Sequence, residues 1–323
     1  MNTRLLSPPH RDSPGLRPSS PARAERRRTS FHEVQAKSLL NRVRGMPFDW
    51  SISPYRGCTH ACTYCYARAT HEYLGYGKGA DFEHEIVVKT NAVELLNREI
   101  RQRKMRGQTI VTGTVSDPYQ PAEATYQLTR GCLEVMLANG NPAGITTKSS
   151  LIVRDLDVLA DLAAGPGCTV HITITTLDRD IARKLEPRAP SPGQRLDAIR
   201  KLAAAGIPVG VFVGPVFPGL TDDPEGLAAL AEATAEAGGS FLVGLPLRIG
   251  SEFAMPFLEA IQRDFPEVAA RYRAQARNGG MDRRQVATIG ALFDELRFRF
   301  GLDARPSHRD PVDVRPKQLA LPV

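Results

Sequence analysis

Short apolar runs alternate with amphipathic stretches along most of the chain. Phe48–Ser53, Thr109–Val111, Gly144–Thr147, Thr169–Thr175, Pro208–Val213 and Phe241–Leu245 are brief and mostly apolar, as strands buried on both faces are. Between them lie segments with helical periodicity: Ala92–Arg106, Leu128–Ala138, Asp155–Ala163, Gln194–Ala205 and Asp223–Ala237. In the first of these Val93, Leu96 and Ile100 share one face. Asn91 is its expected N-cap, Glu94 stands at the capping-box position, and Gly107 is the expected stop. From about Glu252 the strand pattern ceases and helical sequence follows, including Arg283–Phe300.

Strand and helix alternate, so the strands are expected to be parallel with helical crossovers. Two architectures fit: a doubly wound sheet, or a full or partial β/α barrel. Both gather chemistry at the carboxyl ends of the strands.

Charge divides the chain unevenly. The formal net charge is +7. Residues 1–44 hold ten Lys and Arg against three acids, which is the whole excess. The other residues are balanced, which argues against broad recognition of duplex phosphates by the body. Residues 1–30 are rich in Pro, Arg and Ser and are read as a disordered tail, dispensable for chemistry. A nucleic-acid arm or a transit peptide is the functional alternative, and the prolines work against a transit helix. The expected division is tail 1–30, core 31–250 and a mostly helical extension 251–323.

No apolar signal core of roughly 7–15 residues opens the chain, and no apolar run approaches the ~18 residues of a membrane span. A reducing, cytoplasmic setting without a membrane partner is expected. There a tight cysteine group reads as a metal or redox site.

Such a group is present in "SPYRGCTHACTYCYARAT", Ser53–Thr70. It places Cys58, Cys62 and Cys65 in the order C-x3-C-x2-C, directly after the first expected strand. Structural zinc wants four ligands, and His60 or His71 would complete a Cys3His set. A [4Fe–4S] cluster is normally held by four thiolates; three leave one iron open to a substrate or cofactor. Cys132, on an expected helix, and Cys168, after Gly165-Pro166-Gly167, read as buried core thiols.

The triplet and its aromatic setting, Tyr64 and Tyr66, resemble the signature of the radical S-adenosylmethionine (SAM) superfamily. Over roughly Lys37–Leu247 the chain is similar to the branch containing spore photoproduct lyase and its photolyase-like relatives. "TGTVSDPYQPAE" resembles the segment after that branch's second strand, and "TTKSSLIVRDLDVL" its third strand and turn. "VHITITTLDRDIARKLEPRAPSPGQRLDAI" resembles its fourth strand and exit loop, and "AGIPVGVFVGPVFPGLTD" its fifth.

This resemblance implies an α/β fold: a partial (β/α)6 barrel with a helical C-terminal extension and a disordered N-terminal tail. It implies a [4Fe–4S] cluster on Cys58, Cys62 and Cys65, with SAM on the fourth iron. Tyr64, Ser116, Lys148 and Thr173 match the lyase's SAM contacts, the last with Thr in place of Ser. A lysine at a strand end suits the SAM carboxylate, and hydroxyls suit its polar edges. Equally, a lone lysine is often a surface charge, Thr173 packs in a strand, and Ser116 precedes the turn-forming Asp117-Pro118 pair.

The implied reaction is reductive cleavage of SAM to a 5′-deoxyadenosyl radical that abstracts hydrogen from a substrate. A flavodoxin- or ferredoxin-type donor is the implied partner. The resemblance leaves the substrate open, with nucleic acid among the candidates. Thr114 stands where the lyase carries its hydrogen-donating cysteine, which speaks against that enzyme's own substrate. A non-catalytic metal- or nucleic-acid-binding module is the competing class.

Overall fold

The computed structural model describes residues 27–250 and 254–302. Its strands are β1 (Ser30–Val34), β2 (Asn41–Arg42), β3 (Trp50–Ile52), β4 (Tyr55–Arg56), β5 (Glu85–Lys89), β6 (Ile110–Thr112), β7 (Ala143–Thr147), β8 (Cys168–Thr173), β9 (Val209–Val216) and β10 (Phe241–Pro246). The larger sheet has seven strands in the order β10-β9-β8-β7-β6-β3-β2. Six of them are parallel and follow the chain without reversal; β2 alone pairs antiparallel, with β3.

That order decides between the two expected architectures. A doubly wound sheet starts in its middle and reverses, which creates a switch point. Here each new strand adds to the same side, as in a barrel. β10 does not pair with β3, so the ring is open. The result is the expected partial (β/α)6 barrel.

The crossover helices are α1 (Ala80–His84), α2 (Ala92–Gln102), α3 (Ala122–Tyr126), α4 (Leu128–Asn139), α5 (Leu156–Ala164), α6 (Arg179–Leu185), α7 (Pro192–Ala204) and α8 (Pro224–Glu236). Alternation along the strands sorts their side chains. Val170 and Ile172 of β8, with Val209, Val211 and Val213 of β9, join the main core against the helices. His171, on the other face, meets the rings of Phe212 and Phe241, with centroids 6.3 and 4.8 Å away. Cys132 and Cys168 lie in the main core, as expected.

Two details depart from the sequence reading. α2 ends at Gln102 and not at Arg106, because the chain turns at Lys104 (φ 51°) and tucks Met105 into the core. Asn91 precedes α2 but does not cap it with its side chain. Its amide instead bridges the backbone N–H and C=O of Ala36, at 2.9 Å each. Full capping boxes occur at Ser191/Gln194 before α7 and at Asp282/Gln285 before the final helix.

A second, three-stranded sheet, β1-β5-β4, was not anticipated. Its first strand opens at Ser30, and Arg27 pairs with Asp81 and Glu85 at 2.7 and 3.0 Å. The expected tail therefore ends before position 30; its first 26 residues lie outside the described residues.

The extension forms α9 (Ala254–Asp264), α10 (Ala269–Arg277) and α11 (Arg283–Phe300). Phe257, Ile261, Phe265 and Tyr272 of α9, α10 and their junction share a second core with Cys62, Tyr64, Leu185 and Phe217. The extension is thus built into the wall behind the cysteine loop. Among the described residues no helix is long and apolar enough to cross a membrane.

Candidate active site

The cysteine loop begins where β4 ends. Gly57 has φ +78°, and a Cβ there would lie 2.9 Å from the Glu85 carbonyl oxygen, so this first turn requires glycine. Five hydrogen bonds then hold the loop. The Cys58 N–H donates to the Phe82 carbonyl (2.8 Å), and the Thr63 N–H to that of Leu185 (2.9 Å). The Gly57 carbonyl accepts from Ser116 Oγ (2.6 Å) and Gln120 Nε2 (3.1 Å). Arg68 Nε donates to the Cys62 carbonyl (3.0 Å) while its NH2 pairs with Glu83 (2.7 Å).

Cys58 and Cys62 are buried and Cys65 is half-buried; all three are free thiols. Burial pushes the Cys62 thiol up to about 12 and Cys58 well above its ordinary value, the latter aided by Asp117. Bare, the Cys58 and Cys62 sulfurs stay protonated at neutral pH; a bound metal is what would make them thiolates. Among the described residues, buried hydroxyls without a hydrogen-bond partner occur at Thr59, in the loop, and at Thr175, just past β8. This donor set fits a thiolate-bound cluster.

It fits a single zinc less well. Zinc draws four ligands to within roughly 2.0–2.3 Å of one point. Among the described residues no three of His, Cys, Asp or Glu are gathered for one metal ion. Of the two candidate fourth ligands, neither is grouped with the thiols for one ion, and among the described residues the ring nitrogens of His71 are buried without a hydrogen-bond partner. His60 Nδ1 faces Asp117 Oδ2 at 3.3 Å, and His71 stacks on Tyr76 with Phe82 at its edge.

Three of the four expected SAM contacts converge beside the loop. Lys148 Nζ lies 5.5 Å from the centre of the Tyr64 ring. The Tyr64 hydroxyl donates to Glu186, and Glu186 pairs with Arg195 at 2.5 Å. Arg195 also donates to the carbonyls of Thr173 and Pro190, both at 2.8 Å. Burial disfavours the Glu186 carboxylate, but Arg195, Lys148 and the Tyr64 hydroxyl outweigh it and lower its pKa. Burial likewise works against the Lys148 ammonium, yet Cys62 and Glu186 hold its pKa above the ordinary value.

Ser116 is placed differently. Its hydroxyl donates to Gly57 and accepts from Gln120 Nε2 (2.8 Å), so it braces the loop from below. Beside it, Asp117 accepts from the Thr147 hydroxyl (2.6 Å), the Lys148 N–H (2.8 Å) and the Tyr119 N–H (2.9 Å). Burial opposes its ionisation, but His60 and these donors hold its pKa down to about 2. Asp117 thereby joins the cysteine loop to the carboxyl end of β7.

Sequence reasoning missed Glu186, Arg195, Asp117 and Gln120. All four fall inside segments it had singled out. Glu186 and Arg195 lie 13 and 22 residues past the end of β8, and their distance from the cysteine loop in the chain left no spacing to read.

Thr114 sits after Gly113, whose φ is +96° and where a Cβ would lie 2.0 Å from the Thr146 carbonyl oxygen. The Tyr66 hydroxyl donates to the Thr114 carbonyl. Position 114 is thereby tied to the residue following Cys65.

A one-way partial α/β barrel of six parallel strands, with three thiols in the loop after its first barrel strand, has the layout of an enzyme that works at the strands' carboxyl ends. Residues 52–231 match the radical SAM superfamily, and the chain belongs to it; the protein is a radical SAM enzyme. It is 37% identical over 289 residues to an uncharacterized protein of Mycobacterium tuberculosis (strain ATCC 25618 / H37Rv), covering 86% of this chain and 84% of that one. It is 28% identical over 218 residues to a radical SAM Nα-GlyT isomerase of Pseudomonas phage M6, covering 66% of this chain and 42% of the phage protein. Spore photoproduct lyase complexed with dinucleoside spore photoproduct has the same fold, with a TM-score of 0.62 at 18% identity, over 84% of this chain and 79% of that one. A lyase variant with bound AdoMet and the same dinucleoside superposes with a TM-score of 0.58 at 17% identity, over 83% and 78%.

Proposed function

We propose that Cys58, Cys62 and Cys65 hold a [4Fe–4S] cluster and that the protein cleaves SAM reductively, producing a radical that abstracts hydrogen from a substrate. The observation that carries this reading is the buried three-thiol loop with Lys148, Glu186 and Arg195 packed beside it. The bound cluster would supply the electron that opens the C5′–S bond of SAM, and a flavodoxin- or ferredoxin-type protein would replenish it.

The chain's own residues would position and neutralise. Lys148 answers the SAM carboxylate. Tyr64 supports Lys148 and is itself fixed by Glu186. Thr173 offers a hydroxyl at the end of β8. Ser116 acts by holding Gly57, and so the first turn of the loop. Anaerobically reconstituted protein should be brown and carry about four irons. With dithionite and SAM it should release 5′-deoxyadenosine. A colourless protein with one tightly held zinc and no SAM cleavage would overturn the reading in favour of a metal-binding module.

The substrate differs from that of the structural neighbours. Thr114 takes the place of the lyase's hydrogen-donating cysteine, and an O–H bond is a far poorer hydrogen-atom donor than an S–H bond. Cys132 and Cys168 lie in the main core and do not replace it. A dinucleotide carrying spore photoproduct, supplied with SAM and reductant, should therefore yield no restored thymines by chromatography. Clean repair at the rate of SAM cleavage would show that Thr114 is no obstacle.

A further inference from the structure

A count that splits the chain at residue 44 hides a local surplus across that boundary. Two loops meet at the amino-terminal end of the barrel strands, opposite the cysteine loop. One joins β2 to β3, and the other leads from α2 into β6. β3 and β6 pair in parallel with Trp50 beside Ile110, which brings the two loops side by side. The loops and the ends of β2 and α2 that lead into them carry Arg42, Arg44, Arg101, Arg103, Lys104 and Arg106, all exposed. Among the described residues none of these six side chains has an ion-pair partner. Arg42 and Arg44 line an open depression in which Asp49 is the single acid.

Trp50 organises the cluster. Its indole N–H donates to Gln108 Oε1 at 2.7 Å, which fixes the ring. The guanidinium carbons of Arg42 and Arg103 lie 5.8 and 5.5 Å from its centre. A guanidinium held against an aromatic ring keeps its charge and its donor fork, so less freedom is lost when it grips an anion.

We propose that this patch is a docking surface for the phosphodiester backbone of a nucleic acid, separate from the barrel mouth. Five of the six cations are arginines, whose forks match phosphate oxygens in pairs. Arg42 and Arg44 share their depression with one acid, Asp49, while Arg101, Lys104 and Arg106 line a second depression that holds none, and cations spread over two neighbouring depressions suit a polymer of regularly spaced negative charge. A protein partner would ask for apolar anchors, and Met46 is the only large exposed apolar side chain lining the depression. The proposal does not depend on the cluster assignment or on Thr114.

The test uses the full chain and a labelled 20-nucleotide single strand. Trp50 is the only tryptophan, so its emission reports occupancy of this patch and of nowhere else. Binding should quench Trp50 in step with the rise in anisotropy of the label. The double variant Arg44→Ala/Arg106→Ala leaves the Trp50 contacts in place. It should bind roughly tenfold more weakly at about 100 mM salt, with the log–log salt slope shallower by about 1.4. Arg283→Ala/Arg284→Ala, exposed residues of α11, removes the same charge and should change affinity less than about twofold. Equal losses in the two variants, or binding without a change in Trp50 emission, would overturn the proposal. Undiminished oligonucleotide binding alongside lost polyglutamate binding would also overturn it and assign the patch to an acidic protein.

Discussion

Cys62→Ala should abolish the cluster absorbance near ~400 nm and stop 5′-deoxyadenosine formation, while the cluster-free protein stays folded. The sulfur sits in a loop whose backbone is held independently, by Phe82, Leu185, Ser116 and Arg68. Its side chain touches the second core, so its loss leaves only a small void against Tyr64 and Phe217. The expected stability cost is about 1 kcal/mol, or roughly 2–4 °C in Tm for cluster-free protein. The chemical cost is of a different order, because the proposed cluster would lose one of its three thiolate ligands. Cys132→Ala is the matched control, another buried thiol but in the main core, and should keep both the colour and the activity. Full SAM cleavage by Cys62→Ala would remove the cluster from the mechanism altogether.

The barrel strands were readable because strands buried on both faces must be short, apolar and punctuated. Each of the six expected runs contains or overlaps a strand. Arg283–Phe300 is a helix with both ends as expected. Periodicity does not, however, say which strands are neighbours. The choice between a doubly wound sheet and a barrel needed the unbroken strand order, which is a tertiary fact.

The small sheet escaped for a local reason. β4 has two residues, and the apolar centre of β5, Ile86-Val87-Val88, is too short for periodicity to separate strand from helix. Asn91 misled because an Asn before a helix has the chemistry of a cap, whereas its amide instead binds the backbone at Ala36.

The candidate site divided along the same line. The cysteine spacing is local and carried its meaning in eight residues. Ser116 sits under the loop, a contact over 59 positions of sequence, and the Tyr64–Glu186 bond spans 122. Side chains that support a site from that far away leave no spacing to read. The patch around Trp50 was concealed differently, because Arg42 and Arg44 were counted with the basic first 44 residues and the other four cations with a body that is balanced as a whole.

Glu186→Ala should be the most damaging substitution outside the cysteines. The carboxylate is buried between two cations and a phenol. Its removal leaves Arg195 and Lys148 as like charges without a counter-ion and leaves the Tyr64 hydroxyl unpaired. Breaking a buried pair in this way costs about 3–5 kcal/mol, which in a chain of this size lowers Tm by roughly 10 °C. Glu186→Gln separates the causes. It keeps an acceptor for Tyr64 and drops only the charge, so its Tm should fall about half as far. SAM should bind to reconstituted Glu186→Gln about tenfold more weakly, because Lys148 loses the charge that holds it over Tyr64. A Glu186→Gln protein with wild-type melting and wild-type SAM affinity would mean that the carboxylate charge does nothing there. The ion pair with Arg195 would then be a structural link between the cysteine loop and the exit of β8, and Lys148 would be positioned by its backbone bond to Asp117 alone.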